Sequence, residues 1–351
     1  MILDRLSTPV VLAPLGGGPS TPELAAAVSE AGGLGFLAAA YLPATEVASR
    51  LDATRELTQG PLGVNVFVPS SGPARPSDYA AYVDRFRAWA TAAGASVGEP
   101  RYDDDDWDAK LELLTARPVD VVSFTFGCPS PELIEALRNA GAEVWVTVTS
   151  PQEAAEAAEA GADALVVQGA EAGGHRGSFV NRADLPLYGV LALLDLVRST
   201  VSLPLVASGG IATGAALAAV LSAGAKAAQI GTAFMLAPEA GTSPAHRAAI
   251  ASSEPTVLTR AFTGRLARGI RNGFIAEHEA HAPVAYPELH HLTAPMRKEA
   301  REQGDASRIN LWAGEAHQLA RERPAAETVR ALAAEARAAL ADAGSHIRRG
   351  P

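Results

Sequence analysis

The sequence predicts an α/β protein, a (β/α)8 TIM barrel with an additional helical domain. Three observations predict it. An alanine-rich amphipathic stretch ending in Ala-Gly is followed by a short apolar run at Ala31-Gly32, Ala140-Gly141, Ala160-Gly161 and Ala223-Gly224. Glycine after a helix takes the left-handed position that ends it, and the chain turns back as a strand. Second, the apolar runs are near-continuous rather than alternating, the pattern of parallel strands covered on both faces. Third, helix starts recur as Ser/Thr-Pro-acid at Ser20-Thr21-Pro22-Glu23, Ser130-Pro131-Glu132 and Ser150-Pro151-Gln152-Glu153. Proline leaves no N–H unsatisfied there, and the acid complements the helix dipole.

Taken in order, the strands are Val10–Ala13, Gly35–Ala38, Gly63–Phe67, Val119–Phe124, Glu143–Val148, Ala164–Val167, Leu205–Ala207 and Ala227–Ile230. Eight βα units in this length fit a closed barrel, with a doubly wound open sheet as the alternative. Residues 1–252 form the barrel, interrupted by a helical insertion at about 79–115. Residues 253–351 form a C-terminal helical segment at the barrel mouth. The insertion carries Asp103-Asp104-Asp105-Asp106. No ligand loop surrounds that run, which reads as a solvated helix start rather than a metal site.

Composition narrows the function classes. The chain has 351 residues, 48% of them hydrophobic and 19% charged, with a net charge of -10. Its mean hydropathy is +0.09. These are globular values, and the negative charge with no basic stripe argues against nucleic acid and anionic membranes as partners. A single cysteine, Cys128, excludes an internal disulfide and fits a reducing, cytoplasmic location. Met1-Ile2-Leu3-Asp4-Arg5-Leu6 lacks a basic segment before an apolar one, so no secretory signal is expected.

The C-terminal strand ends are the active face of such a barrel. Pro14, Leu15 and Gly16 follow the first strand, and Asn65 lies at the end of the third. Gln168 and the loop Gly169-Ala170-Glu171-Ala172-Gly173-Gly174-His175-Arg176-Gly177 follow the sixth. Ser208-Gly209-Gly210 follows the seventh, and Gln229-Ile230-Gly231-Thr232 ends the eighth. Glycine backbone amides and a hydroxyl after strands seven and eight suit a phosphate. Asn65 and Gln168 offer donors and acceptors to a heterocycle edge such as flavin or purine. His175 is the one histidine in these loops and a candidate base. Arg176 is expected to pair with Glu171.

Other matches fail on context. Gly94-Ala95-Ser96-Val97-Gly98 follows a helix rather than a strand, so it is no nucleophile elbow. Gly33-Leu34-Gly35 lies at a helix-to-strand turn and is no dinucleotide fingerprint. His278-Glu279-Ala280-His281 lacks the spacing of a zinc-binding helix, and no metal is expected.

The set Ala13-Pro14-Leu15-Gly16-Gly17, Gly63-Val64-Asn65-Val66-Phe67, Ser123-Phe124-Thr125-Phe126-Gly127 and the glycine-histidine loop resembles bacterial nitronate monooxygenases, formerly 2-nitropropane dioxygenases. Ser208-Gly209-Gly210-Ile211, Gln229-Ile230-Gly231-Thr232 and Asn310-Leu311-Trp312-Ala313-Gly314 add to the resemblance. It implies an FMN-dependent enzyme that oxidises alkyl nitronates, such as propionate 3-nitronate, with O₂ to a carbonyl compound and nitrite. Its partners would be a nitronate or nitroalkane and O₂, and it would consume no reduced nicotinamide. By position, Pro14, Leu15, Gly16, Asn65, Gln168, Gly173, Gly174, Ser208, Gly209, Gly210, Gln229, Ile230, Gly231 and Thr232 would hold FMN, and His175 would be catalytic. Cys128 and the stretch Arg101–Asp108 depart from the family pattern and bear on substrate choice. A homodimer is left open. The alternatives are a flavin-dependent enoyl-acyl-carrier-protein reductase using NAD(P)H, and a non-catalytic flavin or purine-phosphate binder.

Overall fold

The computed structural model describes residues 1–346. Eight parallel strands build the barrel: β1 (Val10–Leu12), β2 (Gly35–Ala38), β3 (Leu62–Phe67), β4 (Val121–Thr125), β5 (Glu143–Val148), β6 (Ala164–Gln168), β8 (Leu205–Ser208) and β9 (Ala227–Ile230). Each pairs with its neighbour in the order β1-β9-β8-β6-β5-β4-β3-β2. The ring closes between β1 and β2 through the parallel Val11↔Leu34 bridge. This is the (β/α)8 barrel the glycine-punctuated repeat predicts, and it rules out the open sheet. Strand bounds differ from the sequence reading by a residue or two at the ends.

The outer ring contains α1 (Pro22–Glu30), α2 (Ala44–Leu57), α4 (Trp107–Ala116), α5 (Pro131–Ala140), α6 (Pro151–Ala160), α7 (Val190–Thr200) and α8 (Gly214–Ser222). Thr21, Ser130 and Ser150 cap their helices, each hydroxyl accepting from the backbone N–H three residues on. The helix before β4 is α4, which packs on β3, so only α3 (Pro76–Ala93) and the segment after it are extra.

The extra elements cover the mouth. Tyr82, Val83 and Phe86 of α3 share a second apolar core with Phe262, Phe274, Leu289, Leu292 and Met296 from the tail. α9 (Pro244–Ile250) leads into the tail, which contributes α10 (Gly273–His278) and α11 (Glu288–Gln303). Two features depart from the sequence reading of the tail. It begins with a hairpin, β10 (Thr256–Thr259) and β11 (Ala267–Ile270), which pairs antiparallel with β7 (Gly174–His175). Its last helix, α12 (Ala325–His346), leaves the mouth and packs on α8 and α1. Val329 and Leu332 of α12 are fully buried in the barrel's own core, so this helix completes the ring.

The acidic run is likewise more than a solvated helix start. Asp105 forms an ion pair of 2.8 Å with Lys110, which is wholly buried. The Asp105 carboxylate also accepts from Tyr41 N at 2.8 Å, and that of Asp106 from Ala44 N at 2.7 Å. The run pins the loop after β2. No group of side chains among the described residues is arranged to hold a metal.

Candidate active site

A cavity of about 370 Å³ opens at the C-terminal ends of the strands, within the size range of small-molecule sites. Pro14, Leu15, Gly16, Asn65, Gln168, Gly173, Gly174, His175, Ser208, Gly209, Gly210, Gln229, Ile230, Gly231 and Thr232 all line it. Segments more than two hundred residues apart in sequence thus meet around one space, as strand ends of a closed barrel must.

The loop carrying His175 is held from three sides. Both ends of the Gln168 amide are used on it: Nε2 donates to His175 O at 3.1 Å and Oε1 accepts from Gly177 N at 2.8 Å. Gln168 is therefore a brace for the loop as well as part of the wall. His175 and Gly174 pair with Ala267 and Arg268 of β11. A Cβ on Gly173 would lie 2.5 Å from the backbone of Ala313 and Gly314, so glycine there admits the tail segment. Arg176 does not pair with Glu171. Its guanidinium donates to the carbonyls of Gln168 and Thr149, while Glu171 accepts from Val190 N at the start of α7. Arg176 is buried, and backbone carbonyls lie nearer to it than any carboxylate.

Asn65 spends its amide hydrogens on β4, reaching Ser123 Oγ at 2.9 Å and Thr125 Oγ1 at 3.0 Å. Its free amide atom is Oδ1, an acceptor suited to a ring N–H. Gln229 makes no side-chain hydrogen bond among the described residues, and its Oε1 is buried without a partner. A buried orphan acceptor in a cavity wall marks a place where a ligand donor belongs. Thr232 Oγ1 accepts from Gly314 N at 2.9 Å, leaving its hydrogen available to an anion. Gly209 and Gly210 have φ of +117° and +70°, a backbone that a side chain would strain. A Cβ on Gly210 would also lie 3.1 Å from Glu171 Cβ.

The structure adds residues that the sequence reading did not assign to the site, several of them from the tail. Tyr41, His246, Thr263, His290, Arg297, Arg301, Asn310 and Trp312 line the same cavity. Phe126, Tyr286 and Trp312 surround the His175 ring at centroid distances of 5.6–5.7 Å, and Arg265 lies 3.8 Å over the Phe126 ring. Tyr41 and Phe126 both have positive φ, strained conformations at the rim that a sequence does not disclose. Three histidines of the tail face different partners. His290 stacks on Tyr41 at 4.0 Å, His291 faces Asp103 at 3.5 Å, and His278 lies among Trp89, Phe86 and Phe274. Cys128 is not part of the cavity wall, and burial pushes its thiol up to about 11.

Electrostatically the cavity is one-sided. Arg297 and Arg301 line it and Arg265 lies behind Phe126, yet no carboxylate is among the described lining residues. Burial pulls Arg265 and Arg297 down to about 10, which leaves both charged at neutral pH. Burial, reinforced by these two guanidinium groups, pushes His175 down to about 3. The imidazole is therefore neutral, and its exposed part faces the cavity.

Comparison with known proteins decides the family. The family model "Nitronate monooxygenase" matches residues 2–335. The chain belongs to the nitronate monooxygenase family. A probable nitronate monooxygenase of Staphylococcus aureus (strain Newman) is 38% identical over 319 residues, 88% of each chain. The nitroalkane oxidase structure from Streptomyces ansochromogenes superposes with a TM-score of 0.93 at 46% identity, covering 97% of this chain and 99% of that one. FabK from Thermotoga maritima is also similar, with a TM-score of 0.78 at 25% identity over 99% and 98% of the two chains. As a nitronate monooxygenase family member, the chain is an oxidoreductase, and this family's chemistry is flavin-dependent. No described helix is long and apolar enough to cross a membrane.

Proposed function

We propose that this enzyme binds FMN in the cavity and uses O₂ to oxidise an alkyl nitronate, of the type of propionate 3-nitronate, to a carbonyl compound and nitrite. The single observation that carries this reading is the charge of the cavity: buried guanidinium groups, a neutral imidazole and no carboxylate wall, in a protein of net charge -10. Such a site attracts an anion and disfavours cations. A nitronate is an anion, and so is the FMN phosphate.

The residues present fit the cofactor. Gly209, Gly210, Gly231 and Thr232 offer a side-chain-free turn and a hydroxyl donor for a phosphate, while Asn65 Oδ1 and the unpartnered Gln229 amide offer contacts to a ring edge. A bound flavin supplies the electron acceptor for the electron-rich nitronate carbon. The chain's own contribution is to hold the substrate in a cationic cavity and to present His175. With a neutral nitroalkane, His175 would accept the proton from carbon. With a preformed nitronate it would orient the nitro group.

The likeness to FabK favours a second reading, an NAD(P)H-dependent reductase, but both identity and TM-score are higher for the nitroalkane oxidase. Family membership sets aside the non-catalytic binder. Oxygen-electrode turnover with propionate 3-nitronate, with nitrite assayed in the same sample, tests the proposal. Oxygen uptake matched by nitrite supports it, and no uptake by flavin-loaded protein overturns it.

A further inference from the structure

We propose that Thr263 is a positioning residue that fixes the tautomer of His175, so that Nδ1 is the nitrogen presenting its lone pair to the cavity. This rests on His175 being the proton-accepting group.

Thr263 is 1% exposed and lies in the turn between β10 and β11, where its N–H donates to Arg260 O at 3.2 Å. Its hydroxyl donates to Arg265 O at 3.2 Å, a carbonyl with no other donor among the described residues. A hydroxyl has one hydrogen, so its other contacts are made through lone pairs. Arg265 N–H points at the same oxygen from 3.4 Å. His175 Nε2 lies 2.9 Å from it. Two lone pairs do not bond, so Nε2 carries the hydrogen. A neutral imidazole has a single N–H, which leaves Nδ1 bare. No described residue bonds to Nδ1, and the ring lines the cavity.

Reversing the tautomer would turn the Thr263 hydroxyl toward Nε2 and strip Arg265 O, buried at 4% exposure, of its donor. The turn itself is closely packed. Gly264 has φ +75°, and a Cβ there would lie 2.1 Å from Ala285 O. β11 pairs directly with β7, so the turn that carries the hydroxyl joins two strands of the same three-stranded sheet that holds His175. A threonine orients the ring without adding the negative charge that a carboxylate partner would bring. Its effect is on which nitrogen is bare and where it points.

The test uses flavin-loaded protein with selectively ¹⁵N-labelled histidine: wild type, T263V, T263S, and H175Q to assign the signal. Long-range ¹H–¹⁵N spectra at neutral pH are expected to show His175 as the Nε2–H tautomer in wild type and T263S, and as a mixture in T263V. In parallel, kcat/KM for nitroethane is expected to fall about ten- to a hundredfold in T263V and to return in T263S, while turnover of preformed ethylnitronate falls less than about threefold. An Nδ1–H pattern in wild type overturns the proposal. So does T263V that keeps the Nε2–H pattern with unchanged nitroethane turnover. If T263V does not fold, the wild-type spectrum alone decides the tautomer. An Nε2–H pattern in an enzyme that turns over no nitro compound would leave the tautomer standing and defeat the proposed function instead.

Discussion

Replacing Gln229 by Met should move apoprotein stability and flavin affinity in opposite directions. Gln229 sits in the wall at the end of β9, 6% exposed, with Oε1 buried and unpartnered. A buried polar group without a partner costs about 1–3 kcal/mol, and methionine fills nearly the same volume without a polar atom. The apoprotein should therefore gain about 1 kcal/mol, or about 1–3 °C in Tm for a chain of this size. If a flavin polar atom satisfies Gln229 in the holoenzyme, the variant loses that hydrogen bond, worth about 0.5–1.5 kcal/mol. At 1.4 kcal/mol per tenfold, flavin Kd should weaken by about two- to twelvefold. Calorimetry of flavin-stripped protein and titration of flavin fluorescence quenching measure the two quantities. An apoprotein that is less stable, with flavin affinity unchanged, would refute the reasoning.

Three further outcomes follow from the same structure. His175→Asn should keep its flavin spectrum and lose about 10²–10⁴-fold in kcat/KM on neutral nitroalkanes, with a much smaller loss on preformed nitronate; equal, complete loss on both would show that proton abstraction is not its main role. His175 at about 3 and His246 at about 4 lie below the ordinary histidine value of 6.5, both chiefly through burial. The folded state then binds fewer protons than the unfolded one, so this stability is present above about pH 6.5 and is lost as pH falls toward the folded values. Between pH 7 and 5 the loss should reach up to about 2 kcal/mol for each group, seen as a falling urea midpoint, and a flat profile over that window would contradict it. Asp105→Ala strands the wholly buried Lys110 and should cost about 3–5 kcal/mol in urea unfolding; a change below about 1 kcal/mol would show that the pair is not holding the insertion.

The barrel was legible because several βα units carry their own punctuation: a Ser/Thr-Pro start, an alanine-rich face, a glycine stop or an apolar strand. The rim residues followed once the strands were ordered, since strand ends converge wherever a barrel closes. What stayed hidden is of another kind. Arg297, Arg301 and His290 sit on α11, and only tertiary packing turns that face of the helix toward the cavity. The hairpin strands are four residues each, and β11 carries Arg268 in mid-strand, so no period of two marks them. Tyr41 and Phe126 take backbone conformations that their residue types disfavour. The Asn310-Leu311-Trp312-Ala313-Gly314 segment was visible as a pattern, but its passage against Gly173 was not. The Arg176–Glu171 pairing failed because nearby opposite charges in sequence found backbone partners first.

The most direct measurement of the central claim is an anaerobic spectrum of the purified protein before and after mixing with one equivalent of propionate 3-nitronate, with NADH in a parallel sample. A single FMN per chain, bleached quickly by the nitronate and left oxidised by NADH, is the predicted result. A colourless protein, or a flavin bleached by NADH and untouched by nitronate, would contradict it.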